Sequence, residues 1–190
     1  MVTLYWIIKY ITFPGALLKG FLEHLFCRIC GIPVEYAEYM QRNELCGHTE
    51  HLLAPHRGSF SFCFGPHIIM LILGMVTAFP ASIDLFYLGT VTPADVILCY
   101  IGISFLTNCF PMVEDALNMW DNLYGTESAG EVDGAGAYTH KPTKGASKVL
   151  LAIPAAIMTG GAYIESWGVT LITSCVFTYF LSFIAARIVG

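Results

Sequence analysis

The chain has 190 residues, of which 56% are hydrophobic and only 12% are charged, with a formal net charge of −5. Soluble domains carry about 25% charged residues, so a water-soluble fold is disfavoured and lipid is expected to be the solvent for most of the surface. The charges form no basic stripe, which argues against nucleic acid as a partner.

Five apolar segments are predicted to span a bilayer, since a spanning helix needs about 20 mostly apolar residues. The first runs from about residue 3 to 30 and contains Pro14 and Gly15, which predict a kink or a break into two half-helices. Pro80 is expected to end the second and Pro111 the third. The four later segments cover residues 59–79, 95–110, 146–163 and 168–189.

The connections complete the predicted fold. After the first span lies a polar stretch, 32–57, whose alternating start (Val34 and Tyr36 against Glu35) indicates a short strand or hairpin. Residues 112–124 have apolar side chains at helical spacing, which predicts an amphipathic helix at the membrane interface after the third span. The prediction is therefore an all-α polytopic membrane protein. Its single domain, 1–190, is divided into a core at about 13–124, a polar loop at 125–145 and extra helices at 146–190.

The positions of Lys and Arg predict the orientation. Basic residues lie in or beside the loops 31–58 and 125–148, and Arg187 lies near the C-terminus. With five spans these three places fall on one side of the membrane. Both loops and the C-terminus are therefore predicted to be cytoplasmic and the N-terminus to be outside. A first segment folded as a re-entrant hairpin would reverse this orientation.

Charged side chains within the predicted spans need a function or a partner, because they are costly in lipid. Lys19 and Glu23 are four residues apart and would share one face of the first helix. Glu114 and Asp115 follow the third span, and one of them could approach that face. Mutual neutralisation is the simplest expectation for these charges.

One stretch resembles a protease family. Residues 13–23 read FPGALLKGFLE, and a G-I-P-V segment begins at Gly31. This resembles the F-P-G-x-x-x-H-E-x-x-H helix and following G-x-P-V of site-2 protease-like intramembrane metalloproteases, especially a compact prokaryotic group. Asn108, Pro111 and Asp115 are similar to the outline of the N-x-x-P…D-G motif, which supplies that family's third zinc ligand. With further short similarities at 47–51 and 59–66, the resemblance covers about residues 13–124.

The residues for zinc hydrolysis are missing from this pattern. Such chemistry needs two His ligands one helical turn apart and a Glu that deprotonates water. In register with the family, Lys19 and Glu23 replace the two His and Gly20 replaces the Glu. An ammonium at the first position would repel zinc, so no cofactor is expected beyond bound lipids. The hypothesis is a degenerate site in which Lys19, Glu23 and Asp115, with Asn108 beside them, form an ion cluster.

A second candidate site lies in the first polar connection. Cys46, His48, His51 and His56 follow one another as C-x-H-x2-H-x4-H. Cysteine and histidine at short spacings can bind zinc or copper. The spacing matches no strong motif, so histidines that bind no metal are the alternative.

Three functions are compatible with the sequence. The missing catalytic set favours a non-catalytic accessory or structural subunit of a larger membrane complex, with lipid and other membrane subunits as partners. The first alternative is a divergent intramembrane zinc protease that uses His24, His51 and Asp115. The second is a small transporter or channel component with a polar path along Lys9, Lys19, Glu23 and His67.

Overall fold

The computed structural model describes residues 2–40, 46–53, 56–124 and 146–189. These residues form a helical fold with one small sheet, as predicted. In the sheet, β1 (Val34–Tyr36) pairs antiparallel with β2 (Glu50–His51). The predicted loop at 125–145 lies outside the described residues. The helices are α1 (Val2–Ile11), α2 (Phe13–Cys30), α3 (His56–Ile83), α4 (Pro93–Thr107), α5 (Val113–Tyr124), α6 (Ala146–Ser166) and α7 (Thr170–Val189).

The predicted break in the first apolar segment is confirmed at Thr12, with Pro14 in the first turn of α2. The two helices do not form one straight rod. His48 lies 3.0 Å from the Tyr5 hydroxyl and 3.1 Å from Glu23 Oε1, whereas a straight helix would separate Tyr5 and Glu23 by about 27 Å. The chain therefore bends sharply at Thr12. Ser104 Oγ donates to the Thr12 carbonyl at 2.8 Å and fixes the bend against α4.

The prediction that Pro80 ends the second span is wrong. Helix α3 continues through Pro66 and Pro80 and leads into a π-helical turn, Asp84–Leu88. Packing against α4 explains why the helix persists there despite the hydrogen bond that a proline removes. Gly102 lies so close to α3 that a Cβ on it would be 2.5 Å from the Ala78 backbone nitrogen.

The remaining helices agree with the predicted segments within a few residues. Asp95 lies in the first turn of α4, where it forms a capping box with Thr92. Helix α4 ends at Thr107, before Asn108, whose side chain points into the core. Helix α5 confirms the predicted helix at 112–124. A turn at Gly168, where φ is +74°, separates α6 from α7.

The packing orders these helices along one axis. At one end, the start of α3 and the end of α2 pack with α5 and the middle of α6, around Cys27, Phe62, Met119 and Ala155. At the other end, the π-helical turn packs on the second half of α7, where Phe86 contacts Tyr179. The pairs α4–α5 and α6–α7 therefore each run from end to end with a break between their two helices. The breaks at 108–112 and 166–169 lie beside the bend at Thr12.

Many apolar side chains lie on the outside of the part of the chain that the structure describes. Val149 and Leu150 are each 75% exposed and Val76 is 65% exposed, whereas Lys9, Lys19 and Glu165 are buried. Two of the described helical segments, Gly58–Leu88 and Val149–Ser166, are long and apolar enough to cross a membrane, against the five that the sequence predicted. Helix α4 and the segment Thr170–Ile184 are apolar but shorter.

Candidate functional site

Two lysines meet one carboxylate where the chain breaks lie together. Lys9 and Lys19 both donate to Glu165 Oε1, the latter at 2.6 Å, and none of the three side chains is more than 3% exposed. Glu165 Oε2 accepts from the backbone N–H of Phe110 at 3.1 Å. Lys9 also donates to Asn108 Oδ1 at 2.7 Å, and Lys19 to the Phe110 carbonyl. This lysine–glutamate cluster joins α1, α2, the α4–α5 break and the end of α6.

Glu23 has a separate set of partners. The backbone N–H of Thr49 donates to Oε2 at 3.1 Å, while His48 Nδ1 and His67 Nε2 lie 3.1 and 3.4 Å from Oε1. The hydroxyl of Thr49 donates to the Gly20 carbonyl at 2.8 Å and fixes the loop before β2 on α2. This carboxylate–histidine cluster lies one helical turn beyond Lys19.

His48 is the member of that cluster on a loop. Burial lowers its pKa and the nearby ammonium of Lys19 acts in the same direction, while the Glu23 carboxylate opposes both. Its second ring nitrogen, Nε2, lies 3.0 Å from the Tyr5 hydroxyl. His48 therefore links α1 to α2 through both ring nitrogens.

Asp115 pairs with His51 of β2, whose Nε2 lies 3.5 Å from Oδ1. Burial acts to lower the pKa of His51, but the hydrogen bond and negative charge of Asp115 outweigh it and raise that pKa to about 9. His51 is thus charged at neutral pH, and the pair attaches the hairpin to α5.

The structure gives each predicted cluster residue a different partner from the one expected. Lys19 pairs with Glu165, Glu23 with two histidines and Asp115 with His51. Glu165 is the residue that sequence reasoning missed, because 146 residues separate it from Lys19. A lone carboxylate at the end of an apolar helix is the signal that could have found it, since such a charge needs a buried partner.

The predicted metal ligands are divided between these clusters. His48 faces Glu23 and His51 faces Asp115, and the side chain of His56 lies outside the described residues. Within the described residues, no three His, Cys, Asp or Glu side chains are placed to hold a metal ion. His24, a ligand in the alternative protease hypothesis, lies 3.0 Å from the hydroxyl of Tyr39.

Gly20, which is in register with the general-base Glu of the family that the sequence resembles, has no room for a side chain. A Cβ on Gly20 would lie 2.6 Å from Tyr39 Cδ1 and 3.0 Å from Tyr39 Cβ. These contacts involve atoms near the Tyr39 backbone, so a small rotation of the ring does not relieve them. A glutamate at position 20 would require the segment around Tyr39 to move.

A cavity of about 420 Å³ reaches both buried clusters from the surface. His48 and Glu165 form its buried wall, and Glu114 and Trp167 are exposed residues at its edge. The other lining residues are Tyr5, Pro111, Met112, Val113, Ala162 and Ser166. The cavity therefore gives access to the lysine–glutamate cluster and the carboxylate–histidine cluster, although their charged side chains are buried.

Comparison of the chain with protein-family models, curated proteins and solved structures finds no match in any of the three. The groups of the site form ion pairs and hydrogen bonds with one another, among them the contact of 3.0 Å between His48 Nε2 and the Tyr5 hydroxyl.

Proposed function

We propose that this chain is a polytopic membrane protein with a site-2 protease-like scaffold and no zinc chemistry, which serves as an accessory subunit of a membrane complex. The observation that carries the proposal is that Lys19, Gly20 and Glu23, which replace the zinc-binding and catalytic residues of the resembled family, all have other contacts. Lys19 is ion-paired with Glu165, Gly20 is closed off by Tyr39, and Glu23 is held by Thr49 and two histidines. Each position thus has a stable role that does not involve a metal.

The distribution of side chains supports residence in lipid. Exposed apolar surface costs about 25 cal/mol per Å² in water. In a bilayer the same surface contacts lipid and this cost does not arise. In the proposed arrangement α3, α4–α5 and α6–α7 each cross the membrane, and the bent pair α1–α2 packs beside them. Three crossings replace the five simple spans of the sequence prediction.

This arrangement also suggests a revised orientation. Arg28, near the end of α2, lies at the end of the molecule where α3 and α6 begin, and the C-terminus of α7 lies at the opposite end. If basic loops face the cytoplasm, the loops at 31–58 and 125–148 are cytoplasmic and the C-terminus is outside. Tags placed in a loop and at the C-terminus test this by protease accessibility in sealed vesicles. Equal accessibility of both tags from one side would contradict three crossings.

Two measurements test the accessory role. Purification from native membranes is expected to recover a stoichiometric complex, and the purified chain is expected to contain no stoichiometric zinc. Zinc at one equivalent that is lost in Glu23→Ala or Asp115→Ala would overturn the proposal in favour of a divergent protease. Recovery of the chain only as a free monomer would contradict the accessory role.

A small transporter or channel component is the second candidate. It is favoured by the two broken helix pairs, which meet at buried charges beside a cavity, because transporters build ion sites from discontinuous helices. Ion flux into liposomes that contain the purified chain, abolished by Glu23→Gln, would favour this candidate over the accessory role.

A further inference from the structure

His67 has a buried ring nitrogen without a hydrogen-bond partner among the described residues. Its Nδ1 lies 2.8 Å from the Cys63 carbonyl oxygen, and because a carbonyl only accepts, Nδ1 carries a proton. In a neutral imidazole the other nitrogen is then a bare lone pair. That nitrogen, Nε2, is fully buried and faces Glu23 Oε1 at 3.4 Å.

The two facing atoms are both acceptors when Glu23 is ionised and His67 is neutral. A buried acceptor without a donor is rare, and Nε2 is in that position, whereas Oε1 also lies 3.1 Å from His48 Nδ1. The other neutral tautomer does not help, since it would place a bare Nδ1 against the Cys63 oxygen at 2.8 Å. A cation between Nε2 and Oε1 removes the repulsion between these two acceptors without any movement of the side chains.

We propose that Glu23 and His67 form a buried proton-binding site, in which one additional proton is shared between Glu23 Oε1 and His67 Nε2. His48 connects the site to the surface, because it lines the cavity and lies 3.1 Å from the same carboxylate oxygen. The shared proton joins α2 to α3. This inference rests on the contacts of His67 and is independent of the accessory role.

The surroundings favour a proton over a divalent metal. A structural metal site uses about four ligands, and the described residues offer no group of three suited to one. The ammonium groups of Lys19 and Lys9 lie near the site, and they repel a divalent ion more strongly than a single proton. The charged and titratable groups around the site are Tyr5 and Lys9 of α1, Lys19 and Cys27 of α2, His48 of the loop, His51 of β2, Cys63 of α3, Asp115 of α5 and Glu165 of α6.

Nitrogen NMR of the full chain tests the site directly. The protein is labelled with ¹⁵N-histidine, reconstituted in lipid bilayers at pH 7, and the ring nitrogens of His67 are assigned by loss of signal in His67→Gln. The expected result is a His67 ring with a proton at both nitrogens, the Nε2 proton being shared with Glu23. A bare Nε2 in the wild type would overturn the proposal, and so would one equivalent of zinc or copper whose removal by a chelator changes the His67 signals.

A matched pair of variants assigns the proton to Glu23. In Glu23→Gln the amide N–H donates to Nε2, so His67 is expected to return to a single ring proton. His24→Gln changes the neighbouring residue of α2, whose ring contacts Tyr39, and is expected to leave the His67 signals unchanged. A doubly protonated His67 in Glu23→Gln would contradict sharing with Glu23. The wild-type spectrum decides the proposal even if Glu23→Gln fails to fold.

Discussion

Replacing Glu165 by glutamine removes the carboxylate that Lys9 and Lys19 share. The variant keeps the size of the side chain and one acceptor oxygen, so the loss of negative charge is the main change. Because the three side chains are at most 3% exposed, water in the adjoining cavity can compensate only in part for the lost carboxylate. Both ammonium groups would keep their neutral partners, Asn108 Oδ1 and the Phe110 carbonyl.

The expected decrease in the free energy of unfolding is about 3–5 kcal/mol, the usual cost of removing one partner from a buried ion pair. Each unpaired lysine can instead lose its proton, and the free energy of that deprotonation is the upper limit of the destabilisation per lysine. At pH 7 this costs a lysine with an ordinary pKa of about 10.4 roughly 4.6 kcal/mol, since each pH unit is worth about 1.36 kcal/mol. The decrease should therefore become smaller as the pH approaches 10.

Unfolding in mixed detergent micelles, followed by tryptophan fluorescence, measures this effect. Glu114→Gln is the matched control, because Glu114 is an exposed carboxylate at the same cavity, and it is expected to change stability by less than about 0.5 kcal/mol. Adding Lys9→Met to Glu165→Gln should recover part of the loss, since it removes one unpaired charge. Equal stability of Glu165→Gln and Glu114→Gln would refute the role of Glu165 as the shared counter-ion.

Two further predictions test helix packing and the hairpin. Gly161→Ala should lower the free energy of unfolding by about 1–3 kcal/mol, because its Cβ would lie 2.0 Å from Phe110 Cδ1. Gly160→Ala is the control, since a Cβ there meets open space, and it should be neutral or stabilising. Similar losses in both variants would contradict this packing. For His51, the folded-state pKa of about 9 exceeds the ordinary value of 6.5, so the stability it contributes is complete below pH 6.5 and is lost as the pH rises through about 9. The difference in unfolding free energy between wild type and Asp115→Asn should therefore be largest near pH 6 and shrink towards pH 9, and a difference independent of pH would contradict the ion pair.

Local patterns in the sequence were sufficient for most of the helices. Apolar runs of helical length predicted α3, α4, α6 and α7. The spacing of apolar residues predicted α5, and the alternation at Val34 predicted β1. These features depend on residues close together in the chain, so the sequence expresses them directly. The end of α3 did not follow its local signal, since packing at Gly102 and Ala78 overrides Pro80.

The partners of the buried charges depended on the tertiary structure alone. The sequence by itself determined that Lys19, Glu23 and Asp115 would need partners, because charges inside an apolar helix are costly. It did not determine which partners, since Glu165 and His67 are distant in the chain and reach the site only through the bend at Thr12 and the breaks in the later helices. An ion pair is decided by separations of a few ångströms in space, and no local pattern of residues encodes such a separation.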